Sequence, residues 1–263
     1  MNTKQAVSKP NVDTVRILNI DVHNWEFDAF VEHLEEGVVV TPNIDHFVRL
    51  HNDPNFYECY QQYDHVVCDS RVVFLLMKLL FPSNNLVAQI AGSDLFPAYC
   101  EHHKNNTDKV KVFLLGGSEA SVKAAQEAVN TRTNSQIVVG GYSPPFGFEG
   151  DPQELQKIIQ LIEAAGTTAL AVGLGSPKQE NWIRENRDKL PGVKLFFAIG
   201  ATIDFQAGEV SRAPRWMVNM GLEWSYRLMK EPKRMFKRYF VDDMPFFWFL
   251  LKQRLGLYKN PWR

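Results

Sequence analysis

Val110-Lys111-Val112-Phe113-Leu114-Leu115-Gly116-Gly117-Ser118-Glu119 is the stretch on which the fold turns. An apolar run of strand length ends in two glycines, and the helical pattern of Glu119–Thr131 begins at once. The same junction recurs at Ala169–Gly173, which passes through Leu174-Gly175-Ser176-Pro177 into a helix read over Lys178–Lys189. A buried strand running directly into an amphipathic helix is the unit of a parallel sheet, because parallel neighbours need a crossover between them. Outward from these two junctions, strands are read at Val15–Ile20, Val38–Thr41, His65–Cys68, Gln136–Gly140 and Lys194–Ile199. Helices are read at Trp25–Leu34, Ile44–Leu50, Val72–Phe81, Asp94–His103 and Pro152–Ala165, on apolar spacing such as Leu155, Ile158, Ile159 and Ile162. Asp151-Pro152 and Ser176-Pro177 each set a capping side chain before a proline suited to the first helical position. The pattern predicts an α/β fold: a Rossmann-like, mostly parallel sheet with helices on both faces.

After Ala201 the alternation stops. Arg215–Lys230 reads as one helix with Met217, Met220, Trp224 and Leu228 on a shared face, Pro232 ends it, and a second segment runs to Phe246-Phe247-Trp248-Phe249. The expected organisation is a flexible N-terminus over 1–14, a Rossmann-like domain over 15–210 and a basic helical appendage over 211–263.

Charge follows the same division. The 263 residues carry 29 Lys and Arg against 30 Asp and Glu, a net charge of -1. From Glu209 onward twelve basic residues face five acidic ones, so the tail is +7 and the preceding body is -8. A basic tail on an acidic body suits an anionic partner or surface, or else a set of ordinary solvated helices. Arg212, Arg215, Arg227, Arg234 and Arg238, interleaved with Trp216, Trp224, Phe236 and Tyr239, fit an interfacial helix on anionic lipid, a site for RNA or diphosphate groups, or aromatics packed on the body. With 45% hydrophobic and 22% charged residues the composition excludes a disordered or collagen-like chain. Three cysteines, Cys59, Cys68 and Cys100, without a C-x-x-C pair, support neither a disulfide framework nor a four-thiolate zinc site and favour a reducing compartment. No signal peptide is legible, and the greasiest runs, Val72–Met77 and Pro245–Leu251, are far shorter than the ~20 residues of a membrane span.

In open α/β sheets ligands bind beyond the carboxyl ends of the strands, so the residues leaving each strand are the candidates for function. Thr41-Pro42-Asn43 opens a helix, as a cap or as a polar site wall. Cys68-Asp69-Ser70-Arg71 sets a carboxylate at a strand mouth, where Asp69 either caps the next helix or serves as a general base, while Cys68 reads as a core residue. Gly116-Gly117 before Ser118 lets backbone amides approach a phosphate at a helix N-terminus. Gly173-Leu174-Gly175 resembles the start of a dinucleotide fingerprint, but Lys178 stands where its third glycine belongs. Lys178 and Gln179 in that first turn suit a phosphate or a sugar instead. Ile199-Gly200-Ala201-Thr202 leaves the last strand. The sequence carries no phosphate-loop lysine motif, nucleophile elbow, H-E-x-x-H, or Asp-x-Asp for a divalent ion, so a reaction without bound metal or cofactor is expected.

Taken in order, Thr41-Pro42-Asn43, the Asp69 strand end, Ala91-Gly92-Ser93-Asp94-Leu95, Phe113–Gly117, Val172-Gly173-Leu174-Gly175-Ser176-Pro177-Lys178-Gln179-Glu180, and Arg212-Ala213-Pro214-Arg215-Trp216 continuing to Gly221-Leu222-Glu223-Trp224 and Glu231-Pro232 are similar to the WecG/TagA/CpsF family of glycosyltransferases. The resemblance runs from about Val15 to Tyr239. It implies a metal-independent, inverting transfer of a sugar of the glucose or N-acetylmannosamine type from a UDP donor to a polyprenyl-diphosphate-linked saccharide, in exopolysaccharide or other cell-surface polysaccharide synthesis. The implied partners are the UDP-sugar, the lipid-linked acceptor and an anionic membrane surface, with no nucleic acid. The implied location is cytoplasmic, on the inner face of the plasma membrane.

The resemblance further implies that Asp69 is the base, that Thr41 and Asn43 line its pocket, and that Gln179 touches the reacting sugar. Gly116, Gly117, Gly175, Ser176 and Lys178 would bind the donor, and Arg212, Arg215, Arg227 and Arg234 would close over its diphosphate. Where the family usually has Asp-Gly, this chain has Asp69-Ser70 followed by Arg71. Two other readings stand beside this one: a nucleotide-dependent oxidoreductase on the same sheet, and a non-catalytic scaffold on the membrane surface.

Overall fold

A computed structural model describes residues 13–84, 86–210 and 213–263, so all but two residues of the expected N-terminal segment lie outside the described residues. Among the described residues the strands are β1 Thr14–Ile17, β2 Ile20–His23, β3 Gly37–Val40, β4 His65–Val66, β5 Val112–Gly116, β6 Val138–Tyr142, β7 Ala169–Gly173 and β8 Leu195–Ala198. The helices of the first two hundred residues are α1 Phe27–His33, α2 Ile44–Asn52, α3 Pro54–Gln61, α4 Arg71–Leu80, α5 Gly92–His102, α6 Glu119–Thr133, α7 Pro152–Ala164, α8 Lys178–Asn186 and, just beyond, α9 Thr202–Ala207. Then follow α10 Arg215–Asn219, α11 Glu223–Lys230, α12 Pro232–Lys237 and α13 Met244–Arg254, with a π turn at Arg238–Asp242 before the last.

Six strands form one all-parallel sheet in the order β4-β3-β8-β7-β5-β6. Its central strands β3, β8, β7 and β5 are buried on both faces, which is why they are apolar almost throughout rather than alternating. Successive side chains feed two cores. Val38, Val40, Phe113, Leu115, Leu170, Val172 and Phe196 face the layer with α2, α3, α4, α7 and α8, while Val39, Val112, Leu114, Ala169, Ala171 and Phe197 face that with α1, α5, α6 and α9. The sequence-based expectation of a Rossmann-like parallel sheet with helices on both faces and helices at the C-terminus holds.

Because all six strands point the same way, the loops leaving β4, β3, β8, β7 and β5 stand in a row along one edge. They are held there backbone against backbone. At Gly116, with φ +116°, an added Cβ would lie 2.4 Å from the carbonyl oxygen of Gly173, and at Gly173 it would lie 2.8 Å from that of Gly200. Only glycine lets three strand ends approach this closely. Gly116→Ala is therefore expected to destabilise the fold by about 2 kcal/mol or more through combined strain and overlap; a thermal melt indistinguishable from the parent would refute this tight packing.

Four local readings are corrected. Val15–Ile20 is not a strand of the main sheet: Leu18, at φ +53°, turns the chain and β1 pairs antiparallel with β2 as a separate hairpin. Ser176 does not cap α8, which starts at Lys178 after Pro177 with no side-chain cap. Arg215–Lys230 is broken at Gly221, φ +73°, so Met217 and Met220 do not continue the face of Trp224 and Leu228. The helices α3 and α9 were unexpected, the first because its Pro54 start, capped by Asp53 Oδ1, follows α2 without a loop.

The C-terminal helices also divide in two. Helices α10–α12 present Trp216, Met220, Met229 and Phe236 to solvent, each more than half exposed. By contrast α13 buries Phe246 and Leu250 in the core beside Phe47, and Gln253 ties it to β1 through the Leu18 amide and the Arg16 carbonyl. The indole of Trp262 donates to Leu50.

Candidate active site

A cleft of about 280 Å³ opens where the β3 and β4 ends meet the C-terminal helices. Asn43, Asp69, Ser70 and Arg71 line it from the sheet side, and Glu223, Trp224, Arg227, Arg238, Tyr239, Phe240, Asp243, Met244 and Phe247 from the other. Each sheet-side residue is placed by local chemistry. Asn43 caps α2, its Oδ1 accepting from the His46 amide at 3.4 Å. Ser70, not Asp69, caps α4, accepting from the Val73 amide. That relieves Asp69 of the capping role and leaves its carboxylate for the cleft. Backbone bonds hold Asp69 in place: its amide donates to Pro42 and its carbonyl accepts from the Gln89 side chain.

Asp69 Oδ1 accepts from the Gly92 amide at 3.2 Å. Burial, reinforced by the Glu223 carboxylate and opposed by Arg227 and the Gly92 amide, pushes its pKa up to about 6. A carboxyl group poised there releases and takes a proton within the neutral range, as a base must. Three guanidinium groups, of Arg71, Arg227 and Arg238, share the cleft with three carboxylates, Asp69, Glu223 and Asp243. Asp243 is almost wholly buried, with its pKa raised to about 6 by burial, and its Oδ1 has no hydrogen-bond partner.

The expected site residues fall into groups. Asp69, Asn43 and Arg227 are brought together in the cleft, and Thr41 lies directly behind, its Oγ1 3.3 Å from where a Gly92 Cβ would stand. Gln179 is buried and fixed at both ends of its amide: Oε1 accepts from the Gly200 amide and Nε2 donates to the Glu180 carboxylate, each at 3.0 Å. It joins the β7 and β8 ends beside Thr41's strand. Gly116, Gly117, Gly175 and Ser176 form the next stretch of the same edge, where Ser176 Oγ is buried without a partner. Lys178 pairs with Glu149 at 2.7 Å at its margin, and Arg234 pairs with Glu231 on the exposed face of α12, outside the cleft lining. Arg212 and the Arg215 side chain lie outside the described residues. Sequence reasoning assigned nothing to Glu223, Asp243 or the Phe240–Met244–Phe247 wall; only the i, i+4 spacing of Glu223 and Arg227 signalled a pair.

The model of the WecG/TagA/CpsF glycosyl transferase family matches residues 15–260, nearly the whole chain. The chain belongs to this family. Its work is therefore sugar transfer in cell-surface polysaccharide synthesis, and the oxidoreductase and scaffold readings give way to it. Transfer with inversion would call for a base at the acceptor hydroxyl and positive charge at the leaving group, and Asp69, Arg227 and Arg238 line one cleft.

Proposed function

We propose that this glycosyltransferase moves a hexose, of the glucose or N-acetylmannosamine type, from a UDP donor to a polyprenyl-diphosphate-linked saccharide, with inversion and without a bound metal. Asp69 takes the proton from the acceptor hydroxyl as its oxygen bonds to the anomeric carbon. The bond from that carbon to the diphosphate oxygen breaks on the opposite side, and UDP leaves with the bonding pair. One displacement inverts the centre, so one carboxylate suffices. Charge developing on the diphosphate is met by Arg227 and Arg238 and by the glycine-rich strand ends.

The observation that carries this reading is the company Asp69 keeps: a half-buried carboxylate sharing a cleft with Arg227 and Arg238, whose far side adds Trp224, Phe240, Met244 and Phe247 to those charges. Among the described residues no helix is long and apolar enough to cross a membrane. Yet Trp216, Met220, Met229, Phe236 and Trp248 are exposed on basic helices, a mixture that adsorbs to anionic lipid, where each Lys or Arg contributes ~1 kcal/mol. The reading places the enzyme peripherally on the inner membrane face, where its acceptor would reside.

Calorimetric titration of the full chain with UDP, in chelator and detergent, is expected to show saturable binding, whereas NAD gives none. Binding of NAD but not UDP would overturn the donor assignment. Co-sedimentation is expected with vesicles containing anionic lipid and to fade in high salt; equal recovery with purely zwitterionic vesicles would remove the electrostatic part of the membrane reading.

A further inference from the structure

An arginine beside a catalytic carboxylate creates a conflict. If the guanidinium pairs with Asp69, the carboxylate becomes a poor base and the arginine is taken from the diphosphate. In this protein the conflict is resolved by a third residue. Arg227 Nη2 stands 2.5 Å from Glu223 Oε1, one helical turn earlier on α11, and its guanidinium carbon lies 5.7 Å from the centre of the Phe205 ring on α9. Among the described residues its ion pair is with Glu223, not with Asp69. Glu223 precedes its partner by four residues, the favourable orientation for a helical pair. Both side chains line the cleft that Asp69 enters from the opposite side.

We propose that Glu223 is a positioning residue: it holds Arg227 off Asp69, leaving the carboxylate unpaired as a base and the guanidinium directed at the donor's diphosphate. This rests on the reading of Asp69 as the base. Phe205 supplies the second hold, fixing the arginine against the α/β body so that the appendage and the sheet edge act as one wall of the site.

The groups that bear on Asp69 come from several elements. Glu223 and Arg227 act from α11, and Asp94 from α5. Tyr60 of α3 couples to it, and Arg71, Arg238, Tyr239 and Asp243 share its cleft. Against this background the proton affinity of Asp69 reflects the position of Arg227. Burial and Glu223 raise it, and Arg227 lowers it.

The test needs no substrate. In the full chain labelled with ¹³C at aspartate carboxyl carbons, the Asp69 signal is assigned by its loss in Asp69→Asn and followed against pH. Glu223→Gln removes a carboxylate that itself raises the Asp69 midpoint and also frees the guanidinium, and the two effects together are expected to lower that midpoint by roughly one unit. Glu223→Asp keeps the charge but withdraws it by one methylene, and is expected to lower the midpoint in the same direction. In a chain already carrying Arg227→Gln, Glu223→Gln is expected to have a distinctly smaller effect, because no guanidinium remains to move. An unchanged midpoint in Glu223→Gln, or an identical drop with and without Arg227, would overturn the proposal. Both side chains are partly exposed, 31% for Glu223 and 43% for Arg227, and a thermal melt verifies that each variant is folded. Failure of UDP to bind the parent chain would fell the function reading alone, since the titration measures the Asp69–Arg227–Glu223 arrangement directly.

Discussion

Asp69→Asn is expected to reduce sugar transfer by about 10²- to 10⁴-fold, the usual contribution of a positioned base, while leaving UDP affinity within a few-fold. Asparagine fills the same space and its Oδ1 can still accept from the Gly92 amide, so the cleft keeps its shape and loses only its proton acceptor. Product formation with a cognate UDP-sugar and lipid acceptor measures the first quantity, and calorimetry with UDP the second. Turnover near the parent level would remove Asp69 from the chemistry. In the parent enzyme kcat/KM is expected to fall about tenfold per pH unit below the Asp69 pKa of about 6, as the carboxylate of the free enzyme takes up its proton.

The same substitution has a signature in stability, and its sign follows from the raised pKa. A carboxyl group that holds its proton more tightly folded than unfolded favours the folded state below its unfolded value of 3.8 and progressively opposes it as pH rises to about 6. Asp69→Asn removes the cost of keeping that charge buried. The variant is therefore expected to melt above the parent at pH 7–8, with the difference closing below pH 4. A variant less stable than the parent at pH 8 would contradict the burial argument. A residue that destabilises the fold in order to act is common at active sites.

The sheet was legible because each buried parallel strand is an uninterrupted apolar run that ends in a turn. Ala169–Gly173 was bounded to the residue for that reason, and Lys194–Ile199 came within one residue at each end. Val15–Ile20 misled because its apolar residues suit a hairpin as well as a long strand, and only the backbone of Leu18 distinguishes the two. Pairing order is a long-range property, so nothing local told that β3 would sit between β4 and β8. The sheet half of the cleft was legible by the same rule: ligands lie beyond strand ends, and Asn43 and Asp69 leave their strands there, with Thr41 behind them. The other half was not. Which faces of α11, the π turn and α13 cover the cleft depends on the break at Gly221 and on where Phe246 docks. Glu223, Arg238 and Asp243 therefore came to line the cleft only through tertiary packing.

That docking makes the C-terminus part of the folded body. Ending the chain before Met244 is expected to cost the protein its stable fold, because it strips Phe246 and Leu250 from the core and exposes Phe47 beneath them. It also removes the Gln253 side chain that pairs with both the Leu18 amide and the Arg16 carbonyl, and the Trp262 donor to Leu50. Phe246→Ala alone is expected to destabilise by about 3–5 kcal/mol, the range for deleting a wholly buried phenylalanine. Trp248→Ala, one turn-face away and 56% exposed, is expected to change stability by less than about 1 kcal/mol while weakening vesicle binding. Denaturant unfolding of the two variants, beside co-sedimentation with anionic vesicles, separates the functions of a single helix. Equal stability losses would mean that α13 packs differently. A Phe246→Ala protein as stable as the parent would mean that the last twenty residues are an attachment after all, and that the wall of the cleft they carry is free to leave.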